Sequence, residues 1–212
     1  MIVVGIVAQK GGVGKSTFAR LLAVNYAKAG WDVKICDMDI SQGTSLSWNS
    51  RRMQNEFEPY VAVEQFPTIS QALKKSSEYD MVIFDGAPHA TKQTLEIAKH
   101  ADLIIIPTGT SVDDLEPTIL LAHELKAKGI DIAKVGIAFS RIGNSETELT
   151  EAKEYVTRAG YQLFNGVIYE KTAIRRAQDI GKCATETNFK SVNNTIDGIV
   201  ESIVEKINLV TN

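Results

Sequence analysis

The chain has 212 residues, 44% of them hydrophobic and 23% charged, near the average of soluble globular proteins and long enough to bury a substantial core. Lys and Arg number 23 against 26 Asp and Glu, a net charge of -3, which excludes a global basic field that holds nucleic acid by charge alone. The two cysteines, Cys36 and Cys183, make neither a disulfide framework nor a metal-type spacing, as suits a reducing compartment.

In chain order, the first run is IVVGIVA from Ile2. It starts without a basic leader, and no apolar run approaches ~18 residues, so we expect neither a signal peptide nor a membrane span. KGGVGKST follows, and then Phe18, Leu21, Leu22 and Tyr26 fall on one helical face. DVKICDMD from Asp32 is the next strand, with Cys36 as a small buried thiol. MVIFDGA from Met81 follows it. Leu95, Ile97, Ala98 and Ala101 mark a helix before DLIIIPT from Asp102. Ile119, Leu120, Ala122 and Leu125 mark another before KVGIAFS from Lys134. GVIYE from Gly166 is the last strand, and Cys183 sits in a loop beyond it. Gly30, Gly129 and Gly160 each follow a basic last turn, as helix C-termini prefer. From about Asn188 to Leu209, Ile196, Ile199, Val200, Ile203, Val204 and Ile207 predict a terminal helix packed on the sheet.

Short, continuously apolar strands alternating with helices predict an α/β protein. It has a mostly parallel twisted sheet with helices on both faces. No repeat or Pro-rich linker divides the chain, so one domain over 1–212 is the economical reading. The terminal helix carries Asp197, Glu201 and Glu205 against Lys206 on its polar face. An amphipathic membrane anchor is usually rich in Lys and Arg there, so no membrane contact is expected.

The chemistry concentrates at strand ends. KGGVGKST, Lys10 to Thr17, follows a strand and opens a helix, the context of a phosphate-binding loop. Gly11, Gly12, Val13 and Gly14 let backbone N–H groups turn inward as an anion cradle. Lys15 supplies charge to the β- and γ-phosphates of ATP, Ser16 offers a hydroxyl to Mg²⁺, and Thr17 reaches a neighbouring phosphate. Asp37 and Asp39, two apart at the end of the second strand, share one face and point into the ligand crevice. Asp85 closes the run MVIFD and can hold Mg²⁺ directly or through water.

The loop departs from the general phosphate-loop pattern: Gln9 stands where the first Gly is expected, and Lys10 precedes two glycines. KGGxxGK[ST] resembles the deviant Walker A motif of the ParA/MinD family of P-loop ATPases, and the resemblance covers nearly the whole chain. It implies a P-loop NTPase fold, ATP and Mg²⁺ as cofactors, and an ATP-dependent homodimer. In that dimer Lys10 crosses to the partner's ATP, as an arginine finger does. It implies further that Asp39 orients or activates the attacking water and that Asp37 supports the Mg²⁺ region. The family usually reads D-P-Q after the second aspartate, where this chain has Asp39-Ile40-Ser41-Gln42. It often reads D-x-P-P where this chain has Asp85-Gly86-Ala87-Pro88. Pro107 matches another family strand bordering the nucleotide, and the adenine falls in the vicinity of Ser140 and Arg141.

Ile168 to Glu186 resembles the family's late segment, which in ParA proteins helps ATP-bound dimers hold DNA without sequence preference. The match carries Lys171, Arg175, Arg176 and Lys182 over as the DNA-binding residues, against Glu170 and Asp179. Phosphate contacts need only Lys or Arg reaching the backbone. No helix-turn-helix precedes the first strand, as in the small ParA class. The resemblance thus implies a cytoplasmic partition ATPase, nucleoid-associated where it holds DNA, whose weak hydrolysis a ParB-like adaptor stimulates. The alternatives are a MinD-like membrane-surface positioning ATPase, a metabolic enzyme on the same scaffold and a non-hydrolysing regulator. An electron-transfer ATPase resembling nitrogenase iron protein needs cysteines bridging a cluster, which Cys36 and Cys183 do not offer.

Overall fold

The computed structural model describes residues 1–89 and 91–211. Seven strands lie in the order β3-β2-β4-β1-β5-β6-β7, with β8 also on β6. They are β1 Ile2–Ile6, β2 Val33–Asp37, β3 Ala62–Gln65, β4 Met81–Asp85, β5 Leu103–Thr108, β6 Val135–Ile142, β7 Gln162–Leu163 and β8 Ile168–Tyr169. Every pairing among the described residues is parallel.

The helices are α1 Lys15–Lys28, α2 Thr44–Gln54, α3 Ile69–Lys74, α4 Thr91–His100, α5 Val112–Ala127, α6 Glu146–Arg158, α7 Thr172–Asp179 and α8 Lys190–Thr211. Strand alternation divides the apolar side chains into two cores. One holds Val3, Cys36, Val82, Phe84, Ile104 and Ile106 under α3 to α6. The other holds Val4, Ile35, Ile83 and Ile105 under α1, Trp48 of α2, Ile174 of α7 and the isoleucines of α8. A sheet covered on both faces explains why its central strands read as unbroken apolar runs.

The six apolar runs all form strands. The structure adds β3 and β7, which the sequence does not announce: both are short edge strands, and β3 reads Ala-Val-Glu-Gln. Gly30, Gly129 and Gly160 take left-handed φ just past their helices. The paired hydrogen bonds of each cap follow, as in Trp31 N–H to Tyr26 O and Gly30 N–H to Ala27 O. Leu120 departs from its expected inward face. Ile119, Ala122 and Leu125 are buried, but Leu120 is 56% exposed, because one residue's step of about 100° carries it off the stripe. The terminal helix begins at Lys190 and buries Ile196, Ile199, Val200, Ile203 and Ile207. No described helix is long and apolar enough to cross a membrane.

Pro107 sits inside central strand β5. Ile105 O accepts from Val7 N–H, and Pro107, two residues on, faces the same side. The β1 ladder has already ended there, at Ile6 opposite Ile105, so the missing N–H leaves no gap.

Candidate nucleotide site

Parallel register aligns the carboxyl ends of three central strands. Ile6 stands beside Asp85, and Asp85 beside Asp37. Ile35 and Ile83 point into the α1-side core, so Asp37 and Asp85, each two residues further, point to that side as well. The turn after β1 then delivers the N-terminus of α1 over them.

That turn is built for an anion. Gly12 and Gly14 hold φ of 76° and 107°, a region that glycine alone enters without strain. A Cβ on Gly14 would collide with Ser140 Oγ. Gly14 is the N-cap of α1, no side chain caps the helix and its first turn carries no acid, which leaves its N–H groups and dipole free for phosphate. Lys15 is 7% exposed and forms no ion pair among the described residues; its Nζ donates only to Lys10 O at 3.1 Å. Burial lowers the Lys15 pKa, and the charges of Asp85 and Asp39 partly restore it. Ser140 Oγ and Arg20 Nε are likewise buried without a partner. A buried cation with one hydrogen bond and two buried polar atoms with none are groups that phosphate or nucleoside oxygens and nitrogens would satisfy. The cavity above them has a volume of about 420 Å³ and is walled by Lys15, Ser16, Asp39, Asp85, Ser140 and Arg141. Polyphosphate on the loop with the nucleoside toward Arg141 fits this donor set.

The carboxylates divide their work. Asp85 is 3% exposed and accepts Ser45 Oγ at 2.7 Å. Burial raises its pKa, while hydrogen bonds from Ser45 and Ser16 and the charges of Arg20 and Lys15 pull the other way. Asp37 serves α2: its Oδ2 accepts the N–H groups of Ser45 at 3.0 Å and Leu46 at 3.2 Å, and its Oδ1 accepts Asp39 N–H at 3.1 Å. Burial and then the charge of Asp85 raise the Asp37 pKa against those three donors. Asp39 lines the cavity, and its Oδ1 accepts from Ser41 and Gln42. Ser16 Oγ lies 2.9 Å from Thr44 Oγ1. Among the described residues no three His, Cys, Asp or Glu side chains form a metal cage. Magnesium held by a hydroxyl, a carboxylate and phosphate oxygens needs none.

Lys10 takes no part in its own cavity. Its Nζ donates to Asp114 Oδ1 at 2.7 Å and to Asp113 O at 3.1 Å. The second acceptor is free for a local reason. Pro117 lies within α5, four residues after Asp113, and has no N–H to give that carbonyl.

Residues that the sequence does not single out join the site to its surroundings. Arg20, one turn beyond Ser16, donates to Thr44 O at 2.7 Å and to Gln178 Oε1 at 3.1 Å. Gln178 Nε2 donates to Thr17 Oγ1 at 3.3 Å. The guanidinium groups of Arg20 and Arg52 each lie over the Trp48 indole, 5.6 Å from a ring centroid. The one sequence signal for this set is the Gly43-Thr44-Ser45 turn that follows the paired aspartates; Arg20 and Gln178 read as ordinary helix-surface polar residues.

The four basic residues of the late segment separate. Lys171 and Arg175 line the cavity; Lys171 donates to Asn144 at 3.1 Å and Arg175 pairs with Glu170 at 3.4 Å. Arg176 is exposed. Lys182 lies past the end of α7, over the Phe57 ring at 5.0 Å.

A glycine cradle, a buried lysine, a hydroxyl and a strand-end aspartate on a parallel sheet define a P-loop nucleotide-binding protein. Residues 4–182 match the CobQ/CobB/MinD/ParA nucleotide binding domain, and the chain belongs to that family. It is similar to the iron-sulfur cluster carrier protein of Clostridium perfringens, 31% identical over 144 residues, 58% of this chain and 50% of the relative. The chain therefore spans half the length of that protein. It is also similar to protein ParA of Rhizobium radiobacter, 25% identical over 181 residues, 82% of this chain and 80% of that protein. In fold it is similar to the septum site-determining protein MinD of Pyrococcus horikoshii, solved with Mg-ADP. There the TM-score is 0.76 at 18% identity, covering 99% of this chain and 98% of that one. The ParA and MinD proteins of this family are ATPases, and its cofactors are ATP and Mg²⁺.

Proposed function

We propose that the protein is a ParA-type ATPase that positions cargo, plasmid or chromosomal DNA among them, through ATP-dependent dimerisation, sequence-independent DNA binding and partner-stimulated hydrolysis. The observation that carries this reading is the placement of Lys10. Its ammonium lies outside its own nucleotide cavity and is 40% exposed, held by an ion pair of a kind worth under about 1 kcal/mol. Such a lysine serves no phosphate in its own chain and is released at little cost to meet one in a second copy.

In this reading Lys15, Gly11, Gly12, Val13, Gly14 and Thr17 bind the phosphates. Ser16 and Asp85 hold Mg²⁺, with Asp37 and Asp39 beside them, and the metal supplies charge neutralisation on the phosphate oxygens. Asp39 accepts from the attacking water, and Asp37 keeps α2 in place behind it. Lys171, Arg175, Arg176 and Lys182, though spread along the late segment, meet DNA phosphates in the dimer, where two copies double their number. A ParB-like adaptor stimulates the slow hydrolysis. Cluster carriage is disfavoured by the thiols: Cys36 and Cys183 are buried in different cores, and burial pushes each up to about 12. A MinD-like membrane surface is disfavoured by the acidic outer face of α8.

The test is binding to random-sequence duplex DNA without nucleotide, with ADP, and with Mg-ATP, for the wild type, Lys10→Ala and Arg176→Ala. Binding that appears only with ATP and is lost in both variants supports the reading. ATP-dependent dimers that bind no DNA in any state would sink the DNA part of it.

A further inference from the structure

The segment after Asp39 departs from the family's D-P-Q, and the structure shows what stands there instead. Ser41 Oγ donates to Asp39 Oδ1 at 2.6 Å. The N–H of Ser41, at 3.2 Å, and the N–H of Gln42, at 3.1 Å, reach the same oxygen. One carboxylate oxygen thus takes three donors, and among the described residues Asp39 Oδ2 takes none. The backbone around it is also tied: Asp39 O accepts Gly43 N–H at 2.8 Å and Gln65 Nε2 at 3.1 Å.

We propose that Ser41 is a positioning residue for hydrolysis, its hydroxyl fixing the Asp39 carboxylate so that Oδ2 faces the attacking water. This rests on the reading of Asp39 as the water-orienting group. The two backbone N–H groups define the turn, but each is long for a bond to a charged oxygen. The short Ser41 hydroxyl bond is the one that sets the rotation of the carboxyl plane. Without it, Asp39 turns about its terminal torsion, which is soft and roughly two-fold. The carboxyl plane then swings away from the orientation that hydrogen-bonded Ser41 sets, held only by the two longer N–H contacts, and the free oxygen strays from the water. Ser41 is exposed and its side chain reaches no core residue, so its removal alters the carboxylate and leaves the fold alone. A proline in this turn would restrict the chain but give Asp39 no side-chain donor. Ile40-Ser41 replaces backbone restriction with a hydrogen bond.

The experiment uses the full chain with Mg-ATP. Single-turnover hydrolysis and equilibrium ATP affinity are measured for the wild type, Ser41→Ala, Ser41→Thr and Asp39→Ala. We expect Ser41→Ala to slow the hydrolytic step about tenfold, the effect of one misplaced catalytic contact, with ATP affinity changed less than about twofold. Ser41→Thr, which keeps the hydroxyl, restores the rate to within about threefold of wild type. An unchanged rate in Ser41→Ala overturns the proposal. So does a loss carried wholly by ATP affinity, or a threonine that fails to rescue. Asp39→Ala separates the two readings. If it hydrolyses ATP at the wild-type rate, the assignment of Asp39 itself falls. If it loses about 100-fold or more, as removal of a group that handles the water's proton does, that assignment stands whatever Ser41 shows.

Discussion

Lys15 is a buried cation that forms no ion pair among the described residues, and anionic oxygens in the cavity would offset the cost of its burial. A charge-assisted bond lost from such a site costs about 1.5–3 kcal/mol, or roughly 10- to 100-fold in affinity. Lys15→Ala is expected to weaken Mg-ATP binding by that factor, read as loss of the ATP-induced shift in melting temperature. Asp85 makes the opposite trade. Its folded pKa is raised from 3.8 by burial, so its ionisation opposes folding; the penalty is absent below that ordinary value and complete above the raised one. Asp85→Asn is expected to melt at a higher temperature than wild type at neutral pH without ligand. It should also lose the part of the ATP shift that depends on Mg²⁺. A variant that is no more stable yet keeps the Mg²⁺ response would contradict both statements.

At the scale of elements, α2 and the loop after α7 are joined by one buried ion pair. Arg52 is 1% exposed; it meets Glu186 at 2.8 Å and donates to the carbonyls of Glu58, Pro59 and Gly181. Breaking a buried pair by removing one partner costs about 3–5 kcal/mol, so Arg52→Ala should lower the urea midpoint accordingly without altering the slope. Burial pushes Glu186 up, but the Arg52 hydrogen bond, the Cys183 N–H and the charges of Arg52 and Lys28 hold it below its ordinary 4.5. A depressed carboxylate contributes stability above the unfolded pKa and loses it as pH falls through the folded one. Stability should therefore drop on acidification below about pH 4.5, and this acid limb should be shallower in Arg52→Ala. Gly181 lies in the same joint at φ 92°, and a Cβ there would strike the backbone of Arg51 and Arg52. Gly181→Ala should destabilise it too, which chemical denaturation will show.

For the molecule as a whole, ligand binding and assembly are separable. ATP at 100 times its Kd adds about 2.7 kcal/mol to stability by mass action, and a chain of this size gains roughly 2–4 °C per kcal/mol. Lys10→Ala should keep that shift, because Lys10 does not touch its own cavity. Light scattering with a non-hydrolysable ATP analogue and Mg²⁺ should find the wild type dimeric and Lys10→Ala monomeric. If the variant still dimerises, the exposed lysine is a surface residue and nothing more.

Much was legible in the residues alone. The central strands announce themselves because both faces of each are covered, and the glycine caps and phosphate loop are local codes that need no distant partner. Asp37 and Asp39 also read together as strand-end carboxylates, and the resemblance implies separate tasks for them, but the bonds from α2 to Asp37 have no mark in the sequence. Asp37 turns its oxygens to α2, whose start is unmarked by any side-chain cap. The bond that Ser41 donates to Asp39 depends on a turn the sequence shows only as a departure from a pattern. Arg20, Gln178 and Trp48 are silent, since their partners lie up to 161 residues away in the chain.

By itself, then, the sequence determined the parallel α/β architecture and the phosphate-loop motif, because each rests on short-range periodicity or on contiguous residues, and its resemblance to a family implied the cofactors. The tertiary structure decided which carboxylates line the cavity and which one caps a helix, and where Lys10 rests. It also decided that the four late basic residues stand apart. Those outcomes depend on strand register and on hydrogen bonds between residues brought together only when the sheet closes over α1, and no local pattern encodes them.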